Sequence, residues 1–188
     1  IMETLFAKSE REKQHSDRVG RISEAIAKRM NLDQRTIDKV RVAGFLHDIG
    51  KIGIDEQILN KIGILNRSEW EVMKLHPAKG AGILENTVEF QDIADVVLSH
   101  HERYDGSGYP SGLKGDDILL AARIIMVADA YDAMTNDRSY RNKIGHEAAI
   151  EELKRCAETH FDPDIVSAFV EIPLSEIMHL DGGESPVS

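Results

Sequence analysis

The sequence of 188 residues predicts an all-helical protein, organised as one domain or at most two small ones. Apolar residues recur at helical spacing through most of the chain, and no stretch shows the alternation typical of a strand. Stretches rich in glycine and proline fall between the helical segments and are typical of loops. We expect a single domain over residues 1–181 and a frayed tail over residues 182–188.

The first half of the chain predicts three helices. The first lies within residues 2–30, which hold no proline and repeat apolar residues every three or four positions. Asp33 is the expected N-cap of the second, which ends near Gly50, a residue suited to a left-handed C-cap. Ser68 is the expected N-cap of the third, as part of a capping box. Pro77 then requires a helix to end, kink or restart.

The second half predicts four more helices and one long loop. Residues 91–101 form a helix that gives way to a glycine-rich loop at residues 102–115. Helices follow at about residues 119–135 and 146–159. Pro163 then opens the last helix at its first position.

Charge and composition exclude several classes of function. Lys and Arg number 23 and Asp and Glu number 33, which gives a formal net charge of −10. No broad basic face is therefore expected for a DNA or RNA polymer or for an anionic membrane surface. The longest apolar run, residues 118–128, is too short to span a bilayer. The single cysteine, Cys156, suits a reducing compartment, so we expect a cytoplasmic protein without a signal peptide.

The most informative feature is histidine, of which the chain has eight. Five of them lie between His15 and His101, where apolar stripes meet predicted helix ends, and two aspartates join them. Burying such carboxylates and imidazoles is costly, and a divalent metal offsets both costs. This set exceeds the four ligands of one closed zinc site, which indicates two metals bridged by a carboxylate and a water. The candidate ligands are His15, His47, Asp48, His76, His100, His101 and Asp129.

Each candidate also has a structural interpretation that the sequence leaves open. A single buried histidine such as His15 or His76 is more often a hydrogen-bonded core residue than a ligand. A histidine pair at a helix end can instead interact with the helix dipole. The convergence of the whole set on packed faces favours the metal site. His146, His160 and His179 lack such company, and we expect them to be surface or capping residues.

Two motifs resemble the HD-GYP domain family, a subclass of the HD-type metal phosphohydrolases. They are HDIGKIGI at residues 47–54 and HHERYDGSGYP at residues 100–110, and the match extends over roughly residues 10–169. It includes the family's DAYDAMT stretch, which begins at Asp129, and the Arg138-x-Tyr-Arg141 segment that follows. The resemblance implies a core of about five helices, with extra helices at the C-terminal end.

The resemblance also implies roles for individual residues. The family's ligand positions fall on the candidate set above, with Asp48 as the bridge between two metals. Lys51 matches the family's catalytic lysine, although a solvated lysine after a helix end is the alternative. Arg138 and Arg141 match positions that hold substrate phosphates, and arginine suits bidentate phosphate contact. Asp132 matches a residue near the substrate, with an exposed helix position as its alternative.

The implied activity is hydrolysis of cyclic di-GMP to the linear dinucleotide pGpG, with further cleavage to GMP left open. A set of imidazoles and carboxylates without thiolate suits Fe, Mn, Co, Ni or Zn, and the family prefers iron or manganese. Expected partners are an upstream sensory or receiver domain and diguanylate cyclase domains. Two alternatives stay open: a module that binds cyclic di-GMP or cyclase partners with little turnover, and a hydrolase of a hybrid cyclic dinucleotide.

Two local features refine this expectation. Family members with three metals carry a glutamate four residues before the first histidine, and that position is Arg11 here. Arginine cannot ligate a metal, so we expect two metals rather than three. In the glycine-rich loop, Tyr104 and Tyr109 could either stack on a base or brace the loop, and the sequence does not choose between these roles.

Overall fold

The structure, a computed structural model, describes residues 10–136 and 143–180, and every regular element within them is helical. The expected all-helical class is therefore confirmed. No described helix has the length and apolar character that a membrane crossing requires. The α-helices are α1 (Glu10–Arg29), α2 (Gln34–Leu46), α3 (Glu56–Leu59), α4 (Arg67–Met73), α5 (His76–Glu85), α6 (Gln91–Ser99), α7 (Leu120–Thr135), α8 (His146–Arg155), α9 (Pro163–Val170) and α10 (Leu174–Leu180).

Helix α7 is the central element of the fold, since it packs against α1, α2, α6, α8 and α9. Its side chains at Ile124, Ile125, Val127 and Ala128 are all fully buried. A helix that is apolar around most of its circumference is stable only when neighbours cover it on several sides. The acidic residues near its C-terminal end therefore lie close to the core, and the predicted ligand Asp129 is one of them.

Several helix ends follow the expected chemistry, and others correct it. The Asp33 side chain accepts a hydrogen bond from the Thr36 N–H, as expected of an N-cap. Helix α4 is capped two residues earlier than expected, because Asn66 rather than Ser68 forms the capping box, with Glu69. The box depends on a side chain oxygen facing the third backbone N–H, and the Asn66 amide supplies it. Helix α10 follows the helix that was expected to be last.

Gly50 corrects a second expectation. Helix α2 ends at Leu46, and Gly50 lies in the short 3-10 turn Ile49–Gly53 instead of in a left-handed cap. A Cβ atom at this position would lie 1.9 Å from the His76 carbonyl oxygen and 2.5 Å from the Gly80 nitrogen. The residue is glycine because the turn packs directly on the backbone of α5. That contact sets the end of α2 beside the start of α5.

The tail expected at residues 182–188 lies outside the described residues.

Gly50→Ala is expected to lower the free energy of unfolding by about 1–3 kcal/mol, because the added methyl group overlaps backbone atoms that cannot rotate away. Gly82→Ala is the matched control, since its Cβ would meet nothing within 4 Å and alanine favours the helix. Urea denaturation of both variants measures the difference. Equal stability of the two variants would contradict the packing argument.

Candidate metal centre

Three candidate ligands lie at helix ends, where backbone carbonyls lack partners within the helix. His47 and His100 cap the C-terminal ends of α2 and α6, and His76 begins α5 directly after the end of α4. Each ring places Nδ1 against a carbonyl three residues earlier, so Nδ1 donates and the Nε2 lone pair points away from the helix. The distances are 2.6 Å for His47 to Gly44, 2.8 Å for His76 to Met73 and 2.6 Å for His100 to Val97.

The inward-facing Nε2 atoms lack the partners that buried nitrogens require. Within the described residues, Nε2 of His15 and Nε2 of His47 are buried and make no hydrogen bond. The Nε2 atoms of His76 and His100 lie 3.3 Å apart while both Nδ1 atoms face carbonyls, so two lone pairs face one another. Buried polar atoms in this condition cost free energy. Divalent cations bound here would give these nitrogens partners, so the donor set fits a metal centre.

The Asp48 carboxylate lies between two groups of candidate ligands. Its Oδ1 is 3.2 Å from Nε2 of His76, and its Oδ2 is 3.3 Å from Nε2 of His47. The ligand atoms within each group lie within 4.8 Å of one another, and Asp48 belongs to both groups. One carboxylate shared in this way can bridge two ions. The groups are Asp48, His76, His100 and His101, and His15, His47 and Asp48.

Charges around the centre keep Asp48 ionised. Burial favours the neutral carboxyl, but Lys51 and His47 outweigh burial and hold the pKa of Asp48 well below its usual range. Burial, together with neighbouring imidazoles, holds the pKa of His100 and of His101 well below the usual value, so both rings are neutral. An ionised carboxylate beside neutral imidazoles is the protonation state that metal ligation requires.

His15 differs from His100 and His101 in its charge. Burial lowers its pKa, but the hydrogen bond of Nδ1 to Asp132 and the nearby carboxylates of Asp48 and Asp129 outweigh burial and raise the pKa to about 9. Without a metal the ring therefore carries a proton at neutral pH. An ion that binds at His15 must displace this proton, so metal binding is coupled to proton release.

The remaining predicted residues lie around this centre. Asp129 Oδ1 is 3.4 Å from Nε2 of His15, although Asp129 lies outside the two tightly converging groups. Lys51 Nζ is 2.5 Å from Oδ2 of Asp48 and 3.3 Å from Oε2 of Glu12. The structure thus brings all the predicted ligands and Lys51 to one place. Arg138 and Arg141, the expected phosphate-binding residues, lie outside the described residues.

Asp132 lies behind His15 rather than in the opening of the site. The residue is buried, and its Oδ2 is 2.7 Å from Nδ1 of His15, on the opposite side of the ring from Asp48. Arg18 holds the same carboxylate, with Nε 2.5 Å from Oδ1 and Nη2 3.1 Å from Oδ2. This placement favours orientation of His15 over the expected contact with substrate. Arg18 was not predicted, although it lies three residues after His15 on the same helix face.

The loop that joins α6 to α7 is held against the end of α6 by Glu102. This carboxylate is buried and accepts hydrogen bonds from three consecutive backbone N–H groups, those of residues 111–113, at 2.7–3.1 Å. Gly108 packs so closely that a Cβ atom there would lie 2.3 Å from the Arg103 nitrogen. The N–H of Tyr109 donates to the His101 carbonyl at 3.2 Å. Three separate contacts therefore anchor the loop beside the candidate ligands.

The two loop tyrosines have different surroundings. The N–H of Tyr104 donates to the His160 carbonyl at 3.2 Å, so Tyr104 joins the loop to the segment before α9. The Tyr109 ring lies 4.9 Å from the His101 ring, with an interplanar angle of 30°. Burial, with Asp48 and Asp129 nearby, raises the pKa of the Tyr109 hydroxyl above its ordinary value. Tyr109 thus faces the metal centre and stays neutral.

Three histidines fall outside the predicted ligand set, and the structure describes the side chains of two of them. His146 begins α8 and is half-buried, and its Nδ1 is 2.8 Å from the Tyr131 hydroxyl, which joins α8 to α7. His160 is half-buried and provides a backbone acceptor. Both residues are partly exposed, and each also joins two segments of the fold, so their expected role as surface or capping residues stays a prediction. The side chain of His179 lies outside the described part of the chain.

Comparison with known proteins identifies the family. The family model of the HD domain matches residues 1–165, most of the chain. The chain belongs to the HD domain family. The all-helical HD core expected from the motifs is thereby confirmed, as is the resemblance to HD-GYP proteins.

Relatives of this HD domain include named enzymes. A cyclic di-GMP phosphodiesterase from Thermotoga maritima is 42% identical over 160 residues, which make up 84% of this chain and 44% of the relative. A 3'3'-cGAMP-specific phosphodiesterase from Vibrio cholerae is 36% identical over 173 residues, 91% of this chain and 33% of the relative. This HD domain therefore spans less than half the length of these curated relatives.

Among solved structures, a cyclic GMP-AMP specific phosphodiesterase from Vibrio cholerae has the same fold. The TM-score is 0.68 at 20% sequence identity, and the match covers 88% of this chain and 45% of that one. At this identity the likeness concerns the fold alone.

Asp132→Asn is expected to weaken the binding of Mn(II) by about 10–100-fold, because the residue that orients a ligand histidine loses its charge. Isothermal titration calorimetry measures the affinity, and the melting temperature of the metal-free variant shows whether the fold persists. Asp38→Asn is the control, since Asp38 is an exposed carboxylate on α2. Unchanged affinity in a folded Asp132→Asn protein would contradict the orienting role.

Proposed function

We propose that this HD domain, residues 1–181, hydrolyses cyclic di-GMP to pGpG. The observation that carries the proposal is a buried, ionised carboxylate shared between two groups of imidazoles, with a lysine ammonium in contact with it. This arrangement suits metal-assisted hydrolysis of a phosphodiester. The relative from Thermotoga maritima named a cyclic di-GMP phosphodiesterase supports cyclic di-GMP as the substrate.

The chain offers ligands for two divalent ions. His15, His47 and Asp48 would hold one, with Asp129 beside them, and the other group, which also includes Asp48, would hold the second. Two ions held in this way would lower the pKa of a shared water and supply hydroxide as the nucleophile at neutral pH. A set of imidazoles and carboxylates without thiolate suits Fe, Mn, Co, Ni or Zn, and the resemblance to HD-GYP proteins favours iron or manganese among them.

Lys51 acts in this proposal as a fixed positive charge. Burial lowers its pKa, but Asp48 and Glu12 outweigh burial and raise the pKa above the usual lysine value. The ammonium therefore stays protonated throughout the physiological range and is unsuited to removing a proton. It can instead stabilise negative charge on the phosphoryl oxygens as the leaving oxygen departs. Arg138 and Arg141 would bind the substrate phosphates in the same way.

A hybrid cyclic dinucleotide is the second candidate substrate. It is favoured by the relative from Vibrio cholerae named a 3'3'-cGAMP-specific phosphodiesterase. The identity with that relative is 36%, against 42% with the cyclic di-GMP enzyme. Both substrates contain two purine nucleotides joined by phosphodiester bonds, so the metal chemistry is the same. The difference between them concerns the recognition of one base.

The test is incubation of the Mn(II)- or Fe(II)-loaded protein with each cyclic dinucleotide, followed by chromatography of the products. We expect pGpG from cyclic di-GMP, and the same traces show whether GMP follows. Binding without any linear product would overturn the hydrolase and favour the expected alternative of a binding module. Faster cleavage of the hybrid dinucleotide would assign the second substrate instead.

Two variants separate the roles of the residues in this assay. Asp48→Ala removes the shared ligand and is expected to abolish both metal binding and turnover. Lys51→Met keeps the ligand set and is expected to retain metal while kcat falls by about 10²–10³-fold, as for loss of one group that stabilises the transition state. Full activity of Asp48→Ala would refute the metal site.

Arg11 makes the metal count testable. The side chain is exposed on α1, and arginine cannot replace the glutamate that three-metal relatives of the HD-GYP type carry. The neighbouring Glu12 contacts Lys51 instead. Plasma mass spectrometry is expected to find two ions per wild-type chain and a third in Arg11→Glu. Three ions in the wild type would contradict the proposal.

The partner domains that the resemblance to HD-GYP proteins implies stay predictions. The curated relatives are more than twice as long as the match, and they therefore contain further segments. A sensory or receiver domain and a diguanylate cyclase partner both fit a signalling role for cyclic di-GMP turnover. A cytoplasmic location also stays a prediction.

A further inference from the structure

Trp70 is a half-exposed aromatic residue at the rim of the metal centre. It is the chain's only tryptophan, and 45% of it remains exposed. The helix that carries it, α4, buries none of its residues. An indole has a large apolar face, which can stack on another ring of a ligand or of a partner. The residues around Trp70 indicate which of the two, a ligand or a partner, the indole contacts.

The indole is linked to the metal centre through two ring contacts. Its ring centroid lies 6.3 Å from that of Tyr109, at an interplanar angle of 80°. The Tyr109 ring lies 4.9 Å from the ring of His101, a candidate ligand. The indole and the phenol therefore lie at nearly right angles to one another, beside the place where the substrate phosphate is expected.

Both rings are carried by anchored backbone. The first turn of α4 is held by the capping box of Asn66 and Glu69, and Lys61 Nζ lies 2.6 Å from Oε2 of Glu69. The loop that carries Tyr109 is held by the Glu102 carboxylate through three backbone N–H groups. These contacts hold the backbone at both rings independently of the indole, so the Trp70 ring is positioned without being enclosed.

We propose that Trp70, together with Tyr109, forms a stacking platform for a purine base of the substrate. The inference rests on the proposed function, because a phosphodiester held at the metal centre carries its bases outward to the rim. Bases stack on aromatic side chains whatever their hydrogen-bonding groups, so the platform recognises the purine ring as a class. It does not choose between guanine and adenine, and both candidate substrates satisfy it.

The single tryptophan allows a direct test by fluorescence. Mn(II)-loaded protein is titrated with a hydrolysis-resistant phosphorothioate analogue of cyclic di-GMP, and calorimetry establishes saturation. We expect a saturable change in tryptophan emission with this analogue and none with ribose 5-phosphate, which has a phosphate but no base. Unchanged emission at saturation would overturn the platform. Binding is measured without turnover, so this arm is independent of whether the protein is a hydrolase.

Kinetics separate stacking from a structural role. Trp70→Leu is expected to lower kcat/KM for cyclic di-GMP about tenfold, mainly through KM, whereas Trp70→Phe retains most of it. Cleavage of methyl p-nitrophenyl phosphate, a diester without a nucleobase, should stay unchanged in both variants. Val88→Ala, an exposed apolar residue elsewhere, is the control. Equal losses on both diesters, or no loss on cyclic di-GMP, would overturn the inference, whereas an inactive wild type would overturn the proposed function instead.

Discussion

The buried carboxylate of Asp48 is the constraint on which the rest of the site depends. An isolated carboxylate in the core would cost several kcal/mol, so its charge must be balanced where it lies. Lys51 and His47 supply this balance on the side of Oδ2, and His76 faces Oδ1. Because both oxygens are engaged from different directions, the carboxylate joins two groups of imidazoles into one centre.

Three of the candidate histidines reach the centre from the ends of helices. A helix end leaves carbonyl oxygens without partners, and His47, His76 and His100 each satisfy one with Nδ1. The same hydrogen bond directs Nε2 inward, so capping and ligation are performed by one side chain. The close approach at Gly50 then sets the end of α2 beside the start of α5, which brings two of these rings together. Packing of the backbone thus determines the spacing of the ligands.

Helical periodicity and motif spacing predicted most of the longer helices and the set of residues that meet at the centre, but they did not predict α5 or α10 as helices. They failed where the outcome depends on tertiary contact. The reason for Gly50 is the backbone of α5, which local sequence does not reveal. The N-cap of α4 is a different case, because Asn66 with Glu69 forms the same local pattern as Ser68 with Glu71, and the pattern alone does not choose between them. Asp132 was matched to the right region, but its position behind His15 depends on Arg18 from another helix.

The net charge of −10 raises the question of how an acidic chain would accept an anionic dinucleotide. The protein's own charges at the centre largely cancel, since Asp48 is paired with Lys51 and Asp132 with Arg18. The protonated His15 next to Asp129 adds a third pair, which a bound ion would replace by displacing the proton. Among the described residues little positive charge is left over, so the field that a phosphate requires would come from bound cations together with the proposed contacts of Arg138 and Arg141. Occupancy of the metal centre and affinity for substrate are consequently coupled, and the overall charge of the chain has little influence on either.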